Sequence, residues 1–165
     1  MNKYAVIVGL ICFSILAKAQ TNFRSNGTGG GVWSAISTWQ VENPNGSGSW
    51  FAASSTPTSA SNTIEIRAND LVTVSSNVTI DQTTVDANGT IAVSDGIGLT
   101  LAAGANALVV NGTLNMLGES FASGTGFLVI NNNLKIGSLN STGALVSSTT
   151  LGNIRTATAN RTYWF

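Results

Sequence analysis

Asn88-Gly89-Thr90-Ile91 and Asn111-Gly112-Thr113-Leu114 share one motif, Asn-Gly-Thr followed by Ile or Leu, and lie 23 residues apart. From residue 63 to residue 136 the sequence repeats one pattern, in which two to four strand-forming residues are followed by a turn of Asn, Gly, Asp or Ser. Segments this short leave no length for a helix and are typical of strands. A repeat of roughly 20 residues that holds about three strands is one coil of a parallel β-helix. The sequence therefore predicts an all-β fold, a parallel β-helix (β-solenoid) of a few coils.

Apolar residues recur at this period, and the period predicts which of them stack. Strand side chains alternate, so the outer residues of each triplet face inward and the middle residue faces outward. One coil cannot bury its inward face alone, so successive coils must stack. The predicted inward stacks are Val72/Val74 on Ile91/Val93, Val78/Ile80 on Leu99/Leu101, Val85 on Leu108, and Leu114/Met116 on Leu134/Ile136, with Ile64 and Ile66 inside and Glu65, Thr73, Ala92 and Thr100 outside.

Asparagine and glycine mark the predicted corners, because both tolerate left-handed backbone angles at low cost. Asn88, Asn111 and one residue of 131–133 are expected to hydrogen-bond along the axis. The alternative is an antiparallel β-sandwich, in which Asn88-Gly89 and Asn111-Gly112 would be two-residue hairpin turns. The single recurring period favours the β-solenoid.

Composition excludes several classes of function. Of 165 residues, 8% are charged and 43% are hydrophobic, with seven acidic and seven basic side chains. Low charge with this apolar content does not fit a disordered chain, which needs high net charge and low hydrophobicity. The few basic residues form no patch that could neutralise a run of phosphates, so nucleic acid is not an expected partner.

Residues 1–19 have the pattern of a cleaved signal peptide. Lys3 gives a positive start, residues 4–16 an apolar core, and Ala17-Lys18-Ala19 the small residues that a signal peptidase reads, with cleavage before Gln20. The apolar core is shorter than the roughly 20 residues of a membrane span. Ile11, directly before Cys12, is too large for a lipoprotein signal. The protein is expected to be secreted or at the cell surface, with no membrane span after cleavage.

Cleavage would remove the only cysteine, and the chain contains no histidine. The mature protein then has no disulfide, thiol catalysis, His/Cys zinc site or His-based triad. We expect no cofactor and no metal.

Two regions follow the leader. Residues 20–60 form a Gly/Trp-rich N-terminal cap, in which Pro44 and Pro57 mark turns. Residues 61–165 form the β-solenoid coils. These coils are expected to be truncated, either as the N-terminal piece of a longer gene product or as a truncated reading frame.

A set of motifs between Ser25 and Met116 resembles the N-terminal region of large secreted, adhesin-like surface proteins of Bacteroidota. The motifs are Ser25-Asn26-Gly27-Thr28-Gly29-Gly30-Gly31-Val32-Trp33-Ser34, Ser37-Thr38-Trp39, Pro57-Thr58-Ser59-Ala60 and Asn69-Asp70-Leu71-Val72-Thr73-Val74. They are also distantly similar to the eight-glycine extracellular domain. The resemblance implies an exported, often very long β-solenoid protein that is secreted through a C-terminal sorting domain. No sorting domain is visible in this sequence.

Trp33, Trp39 and Trp50 are the candidate ligand-binding residues. Their flat faces suit the apolar faces of sugars. The competing interpretation is that they cap the first coil, whose apolar interior would otherwise be exposed. Capping is favoured.

The carboxylates indicate no catalytic site. Asp81, Asp86 and Asp95 could share a Ca²⁺ ion, but no calcium-loop motif is present, and turn formation is favoured. Asp86 has no acid one coil further on, near Val109, and Arg67 and Lys135 have no partner in register.

We therefore expect a non-catalytic, adhesin-like or structural β-solenoid segment whose partners are extracellular glycans or surface proteins. One alternative is a carbohydrate-binding module that uses the three tryptophans. The other is a fragment of a polysaccharide-degrading β-helix enzyme.

Overall fold

A computed structural model describes residues 20–117, 121–136, 154–156 and 163–164. The predicted signal peptide and most of the chain beyond residue 136 lie outside the described residues. The elements are β1 (Asn22–Ser25), β2 (Gly30–Val32), the 3₁₀ turn η1 (Ile36–Thr38), β3 (Trp39–Glu42), β4 (Trp50–Ala52), β5 (Thr63–Ile66), β6 (Leu71–Val74), β7 (Val78–Ile80), β8 (Thr83–Val85), β9 (Thr90–Val93), β10 (Gly98–Leu101), β11 (Leu108–Val110), β12 (Thr113–Met116), β13 (Phe121–Gly124), β14 (Leu128–Ile130), β15 (Asn133–Ile136), β16 (Ile154–Thr156) and β17 (Tyr163–Trp164). The predicted all-β class is confirmed.

The strands form three sheets, which the chain visits in a repeating order. Sheet A has the order β16-β14-β11-β8-β5-β1-β3-β4, sheet B the order β17-β15-β12-β9-β6-β2, and sheet C the order β13-β10-β7. From β5 to β15 the chain passes from A to B to C and back to A. Strands one circuit apart pair in parallel, as β9 does with β6 and β12, and β7 and β13 are the two edge strands of sheet C.

The predicted stacking register is confirmed in sheets B and C. Ile91 pairs with Val72 on one side and with Leu114 on the other. Leu134 pairs in turn with Leu114. In sheet C, Leu99 and Leu101 pair with Val78 and Ile80. The Asn-Gly-Thr phrases therefore mark equivalent positions on successive circuits.

The predicted register in sheet A is wrong by two residues. Val85 pairs with Val110, and not with Leu108. The reason is the corner between sheets A and B, which has four residues at 86–89 but only two at 111–112. The 23-residue spacing of the two Asn-Gly-Thr motifs therefore gives the register of the strands after the corner, β9 and β12. It does not give the register of the strands before the corner, β8 and β11.

The same difference in corner length changes the hydrogen bonding that was expected along the axis between Asn88, Asn111 and one residue of 131–133. Asn131 Nδ2 donates to Asn111 Oδ1 at 2.9 Å, as predicted for these two residues. Asn88 instead lies within the longer corner, where it has a left-handed φ of 67°. Asn69, in the corner one circuit earlier, has a φ of 68°. The Asn111–Asn131 hydrogen bond thus joins the two-residue corners.

The hairpins of the sandwich alternative do not form. The strands that flank Asn88-Gly89 are β8 in sheet A and β9 in sheet B, and those that flank Asn111-Gly112 are β11 and β12, again in different sheets. Within the described ranges, the antiparallel pairs are β1 with β3 and β3 with β4. Antiparallel pairing is therefore confined to the N-terminal end.

The core is a set of apolar columns between the three sheets. Its largest fully buried side chains are Trp39, Ile64, Ile66, Ile80, Ile91, Leu99, Leu108, Leu114, Met116, Leu128, Ile130 and Leu134. Ala92, which was predicted to be exposed, is only 5% exposed. It lies between Thr73 and Asn115 in the strand register. A one-carbon side chain is shielded there by two longer neighbours.

The Gly/Trp-rich region both closes this core and contributes to its sheets. Its strands β1 and β2 pair in parallel with β5 and β6. Strands β3 and β4 then fold back and extend sheet A beyond β1. Residues 20–60 thus supply a first partial circuit and an antiparallel flap.

Because backbones stack closely at the corners, we expect alanine substitution to have different effects on stability at Gly112 and at Gly104. A Cβ at Gly112 would lie 2.2 Å from Gly89 O and 2.3 Å from Asp86 O, whereas a Cβ at Gly104 would meet only Asp81 Oδ1, at 3.5 Å. We expect Gly112→Ala to lower the free energy of unfolding by about 1–3 kcal/mol, because backbone must move. Gly104→Ala, the matched control, should change it by less than about 1 kcal/mol. Urea unfolding curves that shift equally for both variants would contradict the stacked corner.

Candidate functional site

Two of the three predicted ligand-binding tryptophans are in the core. Trp33 is 4% exposed and Trp39 is 1% exposed. Their rings pack edge to face, with centroids 4.9 Å apart and planes at 71°. Trp39 Nε1 donates to Trp33 O at 2.8 Å, and Trp33 Nε1 donates to Pro57 O at 3.3 Å. Both indoles thus have their N–H groups satisfied and close the core, and neither offers a flat face to a ligand.

Trp50, the third, lies at the surface in β4 and is half-buried. The Arg24 guanidinium carbon sits 4.2 Å from the centroid of its ring, a cation–π contact. Arg24 Nε also donates to Gln40 Oε1 at 2.8 Å. Trp50 is therefore part of a polar and aromatic surface.

This surface is the outer face of sheet A at its N-terminal end. Gln40, Arg24, Glu65 and Thr84 occupy one row across strands β3, β1, β5 and β8. All four are half-buried. Because alternate residues of a strand share a face, this row lies opposite the apolar core. We call the row, together with Trp50, Arg67 and Asp86, the polar face.

A carboxyl pair lies at the centre of the polar face. Burial raises the pKa of Glu65, and a hydrogen bond with Asp86 together with the negative charge of Asp86 raises it further. Arg24 and Arg67 act against this increase but do not cancel it. The Glu65 carboxyl therefore keeps its proton to a higher pH than an exposed glutamic acid does.

Arg67 has an acidic neighbour in the strand register, Asp86. Ile66 pairs with Val85, and the Asp86 N–H continues that register by donating to Ile66 O at 2.9 Å. Arg67 and Asp86 therefore follow these strands side by side. The expectation that Arg67 has no acid in register was wrong, because Asp86 follows it by 19 residues, which is one circuit in this part of sheet A.

Arg24 is a half-buried cation of the polar face. Burial and the nearby Arg67 charge lower its pKa, while Glu65 and Glu42 act in the opposite direction. The guanidinium thus contacts the Trp50 ring and Gln40, and its charge acts on Glu65.

Asp70 fixes the glycine-rich turn beside the polar face. It is 2% exposed and accepts hydrogen bonds from Gly27 N at 2.9 Å and Gly29 N at 2.8 Å. Ser25 Oγ donates to the same carboxylate and accepts from Arg67 N at 2.9 Å. Asp70 therefore acts as a structural tie between the turn and β5.

Glu42 is a buried acid whose pKa shifts in the opposite direction to that of Glu65. It is 8% exposed and accepts from Asn22 Nδ2 and Gly48 N, both at 2.6 Å. The hydrogen bond from Asn22, followed by those from the N–H groups of Gly46 and Gly48, lowers its pKa. Glu42 is thus held ionised where the flap turns.

The three aspartates considered for calcium are dispersed. Asp81 Oδ1 accepts from Gln82 N at 2.9 Å. Asp86 belongs to the polar face, and Asp95 lies in a turn that is closed by Ile97 N–H to Ser94 O. In the described part of the chain, no three acidic, histidine or cysteine side chains come together as a metal site.

An open groove of about 500 Å³ runs beside the polar face. Thr63, Asp81, Gln82, Thr84, Asn106 and Val109 help to line it. Thr84 belongs to both the groove and the polar row. Neighbouring strands lie about 4.8 Å apart, so the surface from β4 to β11 spans roughly 24 Å. Such a length suits an extended ligand better than a compact one.

Comparison of the chain with models of protein families, with curated proteins and with solved structures finds no match. Within the described ranges, no helix is both long and apolar enough to cross a bilayer.

The pKa shifts of Glu65 and Glu42 predict opposite effects of pH on stability. Because the pKa of Glu65 is raised on folding, wild-type stability falls as pH rises from 4.5 through the raised value. Glu65→Gln should then be more stable than wild type at neutral pH and equal to it below about pH 4.

Glu42→Gln is the matched control, and its sign is reversed. Because the pKa of Glu42 is lowered on folding, its carboxylate stabilises the fold above pH 4.5, and this contribution is lost as pH falls through the lowered value. The variant should be less stable at neutral pH and approach wild type in acid. Urea unfolding between pH 3 and pH 8 measures both, and a shift of the same sign in the two variants at pH 7 would refute the assignment.

Proposed function

We propose that this chain is a non-catalytic β-solenoid segment of a secreted or cell-surface protein, with a structural or adhesin-like role. The observation that carries the proposal is the parallel, in-register pairing of successive circuits in three sheets, from β5 to β15. Stacked coils of this kind form rigid, extended bodies in which each coil contacts mainly its neighbours. Such a body suits the display or spacing of a binding surface.

The arrangement of the N-terminal end supports this role. A stacked core must be covered where the stack begins. Trp33 and Trp39 bury their rings there, and the flap of β3 and β4 extends sheet A past the first circuit. The cap allows a long stack to begin without exposing its interior.

The geometry of the acids argues against glycosidase chemistry. Glycosidases hold their two carboxyl groups about 5 to 9.5 Å apart, which leaves room for the sugar or for water. Glu65 and Asp86 are in hydrogen-bond contact, and Arg24 and Arg67 lie beside them. This pair fits a ligand-contacting role.

Export can be tested in the native host. An epitope inserted in the exposed turn at Gly46–Gly48 should be labelled by antibody on intact cells, and the exported protein should begin at Gln20. Ala19→Arg, which blocks the predicted cleavage position, should abolish the processed form. Epitope that is found only after cell lysis, with Met1 retained, would overturn the surface role.

A second candidate function, glycan binding, is favoured by the polar face and its adjoining groove. Trp50, Arg24, Gln40 and Glu65 combine an aromatic ring with planar hydrogen-bonding groups on one exposed sheet surface. Such side chains suit the hydroxyl groups and apolar faces of a polysaccharide chain. We infer that the ligand would lie across the strands, towards Thr84.

The glycan site predicts a loss of binding that is separate from folding. Trp50→Ala should weaken binding to a responsive polysaccharide by about tenfold or more, since a buried aromatic contact contributes at least about 1.4 kcal/mol. Ile36→Ala, which truncates a 48% exposed apolar residue outside the polar face, is the control. A glycan array followed by calorimetry measures both. Equal affinities for Trp50→Ala and wild type would exclude this face.

A further inference from the structure

Strand β4 is the last strand of sheet A. It pairs with β3 on one side, and no other described strand pairs with its second side. Most natural edge strands carry a charge, a proline or a bulge that blocks further pairing. The strand Trp50-Phe51-Ala52 has neither charge nor proline. Its open edge is therefore chemically suited to another strand.

The direction of the free backbone groups follows from the ladder between β3 and β4. Ala53 N–H donates to Trp39 O at 3.1 Å. Residues that exchange hydrogen bonds alternate along an antiparallel pair, so Phe51 faces β3 as Ala53 does. The N–H and C=O groups of Trp50 and Ala52 then point away from β3. Two donors and two acceptors are aligned along the outer edge.

The apolar row under this edge ends on an exposed aromatic ring. Ile64, Phe23, Val41 and Phe51 are paired in sequence across β5, β1, β3 and β4. Ile64 is 1% exposed and Phe23 is 5% exposed, Val41 is half-buried, and Phe51 is 55% exposed. The row that forms the core elsewhere is thus left open at Phe51.

We propose that β4 pairs antiparallel with β4 of a second copy of this chain, centred on Phe51. In that register Trp50 lies opposite Ala52 of the other copy, and the two pairs exchange four backbone hydrogen bonds. The two Phe51 rings meet directly across a pair that exchanges no hydrogen bonds, where side chains are closest. The contact is self-complementary and closes as a two-fold dimer.

The side chains fit this register on both faces. On the outer face a large Trp50 meets a small Ala52, so the rings do not collide. On the inner face each Phe51 covers the other, and aromatic pairs of this kind are favourable. No charged residue lies on either strand, so no like charges are brought together.

The dimer would also place both polar faces on the same side of one continuous sheet. A two-fold axis that relates antiparallel strands of a sheet runs perpendicular to the sheet, so the outer faces are shared. If these faces bind a polysaccharide, two linked sites would bind one chain more tightly than either alone. This last consequence rests on the proposed glycan function, whereas the dimer itself does not.

Disulfide trapping tests the register directly. In a Cys12→Ser background of the full chain, Phe51→Cys should yield a disulfide-linked dimer on mild oxidation, because facing residues in such a pair meet the geometry of a disulfide. Ile36→Cys, similarly accessible at 48% exposed, should form no disulfide-linked dimer. Equal cross-linking of the two variants, or none at Phe51→Cys, would overturn the proposal.

Sedimentation equilibrium tests the backbone hydrogen bonds between the β4 strands of the two copies. Ala52→Pro removes a donor that points outward, leaves the β3 ladder intact and is tolerated in an edge strand. With circular dichroism unchanged, it should weaken dimerisation by about tenfold or more, since both copies lose a bond. Dimerisation of wild type that persists unchanged in Ala52→Pro, or a wild-type chain that stays monomeric at all concentrations, would refute the dimer whatever the glycan result.

Discussion

Parallel backbone hydrogen bonding between successive circuits is the constraint to which the remaining structure conforms. It fixes equivalent residues about 4.8 Å apart, so side chains of one kind form columns. Val74, Val93 and Met116 form one such column and are all 0% exposed. A column is stable when its members are apolar and matched by their neighbours, and a buried polar member such as Thr83 needs a hydrogen-bond partner, here the Asp81 carbonyl oxygen at 3.0 Å. The repetition in the sequence is the direct result of this requirement.

Most of the fold could be predicted, because the period of the apolar residues is also the period of the backbone. The register of sheets B and C followed from it. The register at Val85 did not, since a spacing measured across a corner includes the corner, and the corner shortens from four residues at 86–89 to two at 111–112 without an apolar signal. The shielding of Ala92 depended on the size of its neighbours, which the inward-outward rule ignores.

The candidate site was less predictable, because it joins the repeat to the segment that has no repeat. Only the return of β3 and β4 along β1 brings Gln40 into the row that contains Glu65 and places Trp50 against Arg24. No spacing in the sequence encodes that return. The burial of Trp33 and Trp39 could be expected from the need to cover the first circuit, but their aromatic character alone fitted a ligand platform equally well.

The corner between sheets A and B has a consequence for how this chain can vary. It holds four residues at 86–89 and two at 111–112, yet the strands on both sides remain in register. Insertions and deletions at this position are absorbed locally, so the columns do not shift. Grafted loops or peptide tags placed there would project at regular intervals along one ridge of the protein.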